Sequence, residues 1–236
     1  MLLCIDIGNT WTKFGLFLED KITFRENIPT GISPENIFKK IKPSAICISS
    51  VVPKENQKFI EISRNFGIKP LFVSIGDIKT TIKNKNKIGQ DRIANVLAGL
   101  YFYRPPMIIV DLGTATVFDV VDKNGYYIGG CILPGIETSA SFLWKKAALL
   151  EPIEIKKPDF LIGNDTEQAL RSGIFYGAIA QIEGIAKMIK KEIGKADVIL
   201  TGNISSLFTD HFKVDEDLTL KGIKVYYEKT RQLNLS

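Results

Sequence analysis

Histidine is nearly missing from this 236-residue sequence: His211 is the only one. Any mechanism that needs two histidines is therefore excluded. Cysteine is scarce too, and Cys4, Cys47 and Cys131 lie far apart with no Cys-x-x-Cys spacing. All three fall in apolar runs that read as buried strands. Neither a disulfide framework nor a zinc site is expected, and a reducing cytoplasm fits. No apolar run approaches the ~18 residues that suggest a membrane-crossing helix. The opening Met1-Leu-Leu-Cys-Ile lacks a basic stretch and meets Asp6 at once, so it is not expected to be a signal peptide. Arginine is sparse, and lysine supplies 25 of the 31 basic residues. The net charge of +5 is spread along the chain apart from Lys79, Lys83, Lys85 and Lys87, which read as a solvated loop. Nucleic-acid binding would call for a denser basic stripe with more arginine and interleaved aromatics, so no nucleic-acid partner is expected, and no membrane partner. The Gly-x-x-x-x-Gly-Lys-Ser/Thr loop is also absent, which excludes a P-loop kinase.

What is present is an ordinary globular composition, 45% hydrophobic and 24% charged, which rules out a disordered chain. Strands are expected over 2–7, 12–17 and 22–27, with Gly8 and Asn9 forming a tight link between the first two. Ser33 is placed to cap a helix running to Ile41, with Pro34 in its first turn. A strand over 45–50, a helix from Pro53 to Phe66, a strand over 70–74 and a helix over 91–103 follow. Arg104-Pro105-Pro106 is the clear seam. Beyond it the opening returns at an offset of 105 residues: Met107-Ile-Ile-Val-Asp111-Leu-Gly113 repeats Leu2-Leu-Cys-Ile-Asp6-Ile-Gly8. Strands over 116–121 and 126–133 come next, then helices over 136–149 and 166–193. A strand over 197–200 and a final strand and helix from Ile223 complete the chain. Strands first and helices after, twice over, indicate a duplicated α/β domain with mixed sheets. The expected domains are 1–104 and 105–236.

The two Asp-x-Gly turns are the first candidates for chemistry. Glycine lets a backbone approach a ligand closely, and the small polar residues beside it offer donors for phosphate oxygens. An aspartate at a strand end can hold Mg²⁺ or its water. Lys13, seven residues past Asp6, returns along the hairpin toward the turn and can neutralise phosphate charge. Gly129-Gly130 and Thr201-Gly202 are read as marking later strand ends. Asp91 and Arg92 open a helix after Gly89. Such an aspartate can cap the helix, or accept a proton from an alcohol while the arginine grips an anion.

Five motifs in order carry a resemblance. They are Asp6-Ile-Gly-Asn-Thr-x-x-Lys13-x-Gly15, Gly89-x-Asp91-Arg92, Asp111-x-Gly-Thr-Ala-Thr-x-x-Asp119, Gly129-Gly-x-Ile-x-Pro-Gly135 and Gly163-x-x-Thr166 with Ser172-Gly173. Over nearly the whole chain they resemble type III pantothenate kinase, of the sugar kinase, heat-shock chaperone and actin superfamily. That resemblance implies duplicated actin-like (RNase H-like) domains with an interdomain nucleotide cleft. It also implies transfer of the ATP γ-phosphate to the primary hydroxyl of pantothenate, the first step of coenzyme A biosynthesis. Asp6, Ile7, Gly8, Asn9, Thr10, Trp11, Thr12 and Lys13 would form the first ATP-binding motif, with Asp6 near Mg²⁺, and Thr114 would contact ATP phosphate. Asp111 would bind a monovalent cation, K⁺ or NH₄⁺. Gly89, Gln90, Asp91 and Arg92 would hold pantothenate, with Asp91 as general base and Arg92 on the carboxylate. Thr166 would line the pantothenate site across the interface of a homodimer.

The sequence departs from the family pattern in three places, one of them the bulky Trp11 beside the phosphate turn. The adenosine motif usually reads Thr-Gly-Gly, whereas here it is Thr201-Gly202-Asn203. The stretch before Gly89 often carries an aromatic and a proline, whereas here it is Ile82-Lys-Asn-Lys-Asn-Lys-Ile88. Trp11 is read as packing, His211 as a surface or capping residue, and Trp144 as core or dimer interface. The alternatives are a non-catalytic nucleotide-binding regulator, or a diverged kinase of the same superfamily acting on another alcohol. Retention of Lys13, Asp91, Arg92 and Asp111 favours catalysis.

Overall fold

A computed structural model describes residues 1–76 and 78–233. The chain divides into two compact units, Pro105–Glu216 and a first unit made of Met1–Arg104 together with the segment that starts at Asp217. The expected second domain, 105–236, is corrected at its far end, because the last helix packs with the first unit.

The first unit is built on a five-stranded sheet. Its strands are β1 (Leu2–Ile7), β2 (Trp11–Leu18), β3 (Lys21–Pro29), β4 (Ala45–Ser50) and β5 (Leu71–Phe72), in the order β3-β2-β1-β4-β5. β1 pairs antiparallel with β2 and parallel with β4. The central strand is buried along its whole length, which is why it reads as an unbroken apolar run rather than an alternating one. One face carries Leu3, Ile5, Ile7, Phe14 and Leu16 into a core with helices α1 (Glu35–Ile41) and α2 (Pro53–Asn65). α1 begins after Pro34 with no side-chain cap, so the expected Ser33 cap is not made.

Helices α3 (Gln90–Phe102) and α6 (Leu218–Leu233) also belong to this unit, and α6 packs on both α3 and β1. They cross closely: a Cβ on Gly222 would lie 1.9 Å from the Ala94 carbonyl oxygen. Thr219 Oγ1 donates to Asn95 Oδ1 at 2.8 Å, and Arg25 forks onto the Asp217 carboxylate. Lys224 reaches Asp20 at 2.8 Å and Glu228 at 2.6 Å. Burial alone would lower the pKa of the Lys224 ammonium. The two carboxylates outweigh that and hold it above its ordinary value. The expected strand at Ile223 is therefore helix. Val225-Tyr226-Tyr227 looks strand-like locally, but packing against α3 decides the matter.

The second unit repeats the first sheet. β6 (Met107–Leu112), β7 (Ala115–Val121), β8 (Tyr127–Pro134), β9 (Asp197–Thr201) and β10 (Lys213–Val214) take the order β8-β7-β6-β9-β10, with the same mixture of parallel and antiparallel pairs. Its core joins Ile108, Val110, Leu112, Phe118 and Leu200 to Phe175, Ala178 and Ile182 of α5 (Thr166–Ile193) and Ile136 of α4 (Ile136–Lys146). Phe175 stacks on Phe208 at 5.1 Å.

Three smaller expectations are corrected. Gly129 and Gly130 lie within β8 rather than at a strand end, and a Cβ on Gly130 would run into the Phe118 carbonyl. Cys131, on the same strand, is exposed, unlike Cys4 and Cys47. Those two pair across β1 and β4, and burial pushes the Cys47 thiol up to about 12. Trp11 does not pack into the core, being 38% exposed.

Two glycine substitutions should move stability in opposite directions. Gly222→Ala overpacks the α3–α6 crossing and should cost about 1–3 kcal/mol. Gly184→Ala, in the exposed middle of α5 with nothing within 4 Å of the new Cβ, should gain about 0.5–1 kcal/mol. Thermal denaturation followed by circular dichroism reads both.

Candidate active site

In the first unit the site grows from one end of the sheet. β1 and β4 run parallel and end together at Asp6–Ile7 and Ser49–Ser50. The chain leaves β1 through a two-residue turn closed by the Gly8 N–H on the Trp11 carbonyl at 3.0 Å. Thr30 braces that turn, since its hydroxyl donates to the Gly8 carbonyl at 2.7 Å. Asn9 and Thr10 stay exposed at the tip, with Gly8 half-buried beside them. The hairpin places Lys13 directly opposite Asp6, on the same face of the sheet. On Asp6's other side Ser49, wholly buried, donates to Asp6 Oδ1 at 3.0 Å. The sequence reading found Asp6 and Lys13 but missed Ser49. Its only signal was Ser49-Ser50 at the end of a buried run, which means nothing until β4 is known to lie beside β1.

The same strand end holds the start of α3. The Ser50 backbone N–H donates to Gln90 Oε1 at 2.8 Å, tying β4 to the helix. Asp91 Oδ1 accepts from the Arg92 N–H at 2.7 Å, so this carboxylate satisfies one of the terminal amides that no helical carbonyl reaches. Gly89 is required by crowding: a Cβ there would stand 2.4 Å from Asp91 Oδ1 and 3.3 Å from Val51. Thus Asp6, Lys13, Ser49, Gln90, Asp91 and Arg92 gather at one end of one unit, with Asp91 and Arg92 half-buried. A carboxylate held by a helix N-terminus is favoured in its ionised form. Such a group can take a proton, while the neighbouring guanidinium can bind a carboxylate in bidentate fashion.

The second unit offers the matching turn. It is one residue shorter, closing with the Gly113 N–H on the Ala115 carbonyl at 3.1 Å. Asp111 therefore faces Val117 on β7 where Asp6 faces Lys13, and Thr201 on β9 where Asp6 faces Ser49. The Thr114 carbonyl accepts from the Gly135 N–H at 3.0 Å and from Thr138 Oγ1 at 2.7 Å, which anchors the turn to the head of α4. Asp119, wholly buried, accepts from the Tyr127 hydroxyl at 2.6 Å. After Thr201 the chain turns at Gly202 with φ +100°, hard against the Leu112 backbone, and only glycine fits there. Asn203 is exposed and needs no positive φ, so the family's second glycine answers no backbone demand at this position.

Thr166 is the first residue of α5 and is exposed. Asp165 caps the helix by accepting from the Gln168 N–H at 2.8 Å. Beside Thr166 lies a cavity of about 530 Å³, lined among others by Leu149, Glu151, Leu170 and Arg171. His211 is exposed with its ring edge toward Phe175, as a surface residue would be. Trp144 is half-buried. No described helix is long and apolar enough to cross a membrane.

Comparisons with known proteins bear on both units. The type III pantothenate kinase family profile matches residues 2–188. A type III pantothenate kinase from an Exiguobacterium species is 36% identical, covering 98% of this chain and 100% of that protein. Another, from Agathobacter rectalis, is 37% identical over 97% of each. Among solved structures, a Baf-family protein from Campylobacter jejuni superposes with a TM-score of 0.65 at 22% identity, covering 98% of this chain and 99% of that one. The ethanolamine utilization protein EutJ of Carboxydothermus hydrogenoformans gives 0.55 at 13% identity, over 95% and 89%. At those identities the structural matches speak for the fold, an actin-like α/β duplication. With identity at this level over the full length, and the motif residues gathered at the ends of both sheets, the chain belongs to the type III pantothenate kinase family.

Proposed function

We propose that Asp91 is the general base of ATP-dependent pantothenate phosphorylation, the family's activity. The observation that carries this reading is the clustering of Asp6, Lys13, Ser49 and the Gly89–Arg92 turn at one end of a single sheet. The primary hydroxyl of pantothenate attacks the γ-phosphorus, its proton passes to an Asp91 carboxylate oxygen, and the bond to the ADP oxygen breaks. The transition state for such transfers is loose and the proton moves late, so an ordinary carboxylate is basic enough. Arg92 binds the pantothenate carboxylate and Gln90 holds the turn against β4. Residues 6–13, with Ile7 and Thr12 as backbone support, bind the ATP phosphates together with Thr114. The lysine loop before Gly89 borders the pantothenate site.

The donor chemistry fits cations. Asp6 sits at a strand end beside a hydroxyl, and Asp111 occupies the equivalent place with a buried hydroxyl at its side. Among the described residues no three His, Cys, Asp or Glu side chains form a self-sufficient metal centre, so ions here would share their shell with water or nucleotide. Asp6 would hold Mg²⁺ and Asp111 the monovalent cation, K⁺ or NH₄⁺. When bound, these ions supply positive charge against the phosphate oxygens.

The working form in this reading is a cytoplasmic homodimer. Its support is the apolar surface of the second unit near Thr166, where Phe160, Leu161 and Ile162 are 70%, 65% and 86% exposed. Sedimentation at micromolar concentration should give twice the chain mass, and a monomer would remove Thr166 from the pantothenate site.

Purified protein with ATP, Mg²⁺ and pantothenate should form 4′-phosphopantothenate, faster with K⁺ than with Na⁺. A folded dimer that makes no product would point to another alcohol as acceptor. Asp91→Asn should cut kcat by about 10²–10⁴ while leaving ATP affinity in place. Full turnover in that variant would remove Asp91 from the chemistry.

A further inference from the structure

The two sheets place two carboxylates at equivalent points, and their surroundings differ. Asp6 stands between Lys13 on β2 and Ser49 on β4, and the Ser49 hydroxyl donates to it at 3.0 Å. Asp111 stands between Val117 on β7 and Thr201 on β9. The shorter β6–β7 turn has moved a valine into the place of the lysine. Thr201 is wholly buried, and its Oγ1 has no hydrogen-bond partner among the described residues. Leaving a buried hydroxyl unpaired is costly, so such groups call for an explanation, a bound ion or water among them. Thr201 cannot drift from its place, because Gly202 locks the chain against the Leu112 backbone immediately after it. Asp119 faces the same side of the sheet one pair further back, and Tyr127 holds its Oδ1. Oxygen donors under net negative charge are what a hard cation takes.

We infer that Thr201 Oγ1 is a protein ligand of the monovalent cation, beside the Asp111 carboxylate. The inference rests on the reading of Asp111 as the cation residue and adds the hydroxyl that completes its side of the shell. In the first repeat a lysine is the carboxylate's register partner and serine's hydroxyl hydrogen-bonds to the carboxylate. In the second an ion takes the lysine's part, and the hydroxyl turns its lone pairs to that ion instead of donating a proton.

The test is binding, independent of turnover. Tl⁺, a K⁺ surrogate, is titrated calorimetrically into the wild-type protein and the variants T201V, T201S and D111N. Melting temperatures are measured with and without K⁺. T201V should bind Tl⁺ roughly tenfold to a hundredfold more weakly, the span expected for losing a contact to a charge. T201S should keep most of the affinity. Without K⁺, T201V should melt no lower than wild type, because no hydrogen bond is lost. A fall in that melting temperature, or failure of T201V to fold, would make the hydroxyl a structural group and overturn the inference. Wild-type affinity in T201V with lost affinity in D111N would overturn the role of Thr201 while leaving that of Asp111 intact. Unchanged binding in D111N, or no Tl⁺ uptake by the wild-type protein, would end both.

Discussion

A carboxylate at the end of a strand buried on both faces is the constraint around which each unit is arranged. In water Asp6 would be indifferent to its neighbours. At 9% exposure it needs a partner, and Ser49 on the parallel neighbour donates to it, while Lys13 is its register partner on the antiparallel one. Both strands lie beside Asp6 only because β1 is central, hairpinned on one side and crossed over on the other. The turn between β1 and β2 then presents Asn9 and Thr10 beside a charge that is already held. Strand pairing, turn and charge support one another, and a slip of one residue would turn Lys13 to the opposite face.

Duplication supplies the second carboxylate and a shortened turn makes it different. With one residue fewer between β6 and β7, valine stands where the first repeat has lysine, and in the unit's interior Asp119 accepts from the Tyr127 hydroxyl. Two copies of one sheet thus offer two unlike electrostatic environments. Glycines stand at the close approaches of the second unit: Gly135 sits on the Gly113–Thr114 turn and Gly202 on β6, each where any Cβ would collide with backbone.

The placement of α6 shows how the chain closes its first unit. Its residues are over a hundred positions from α3 in sequence, yet Gly222 lies on Ala94, Thr219 bonds to Asn95, and Asp217 and Lys224 grip Arg25 and Asp20 of the first sheet's hairpin. The helix that begins at Gly89 and carries Asp91 is therefore backed along its length by the C-terminal end of the chain. The helix that follows the Gly89 turn thus gains packing that the first hundred residues alone do not provide.

The internal repeat and most of the strands are legible in the chain, because periodicity, turn chemistry and the Asp-x-Gly spacing are local properties. The family is legible too, since five ordered motifs leave few alternatives. What remains was set by contacts in three dimensions. Ser49 and Thr201 become part of the site through parallel pairing with a strand some forty or ninety residues away. Cys131 is exposed although it pairs with the buried Phe118, because β8 forms the edge of its sheet. The segment at Ile223 becomes helix because α3 offers it a groove. Each of these depends on a neighbour distant in sequence, and no window of local residues contains that neighbour.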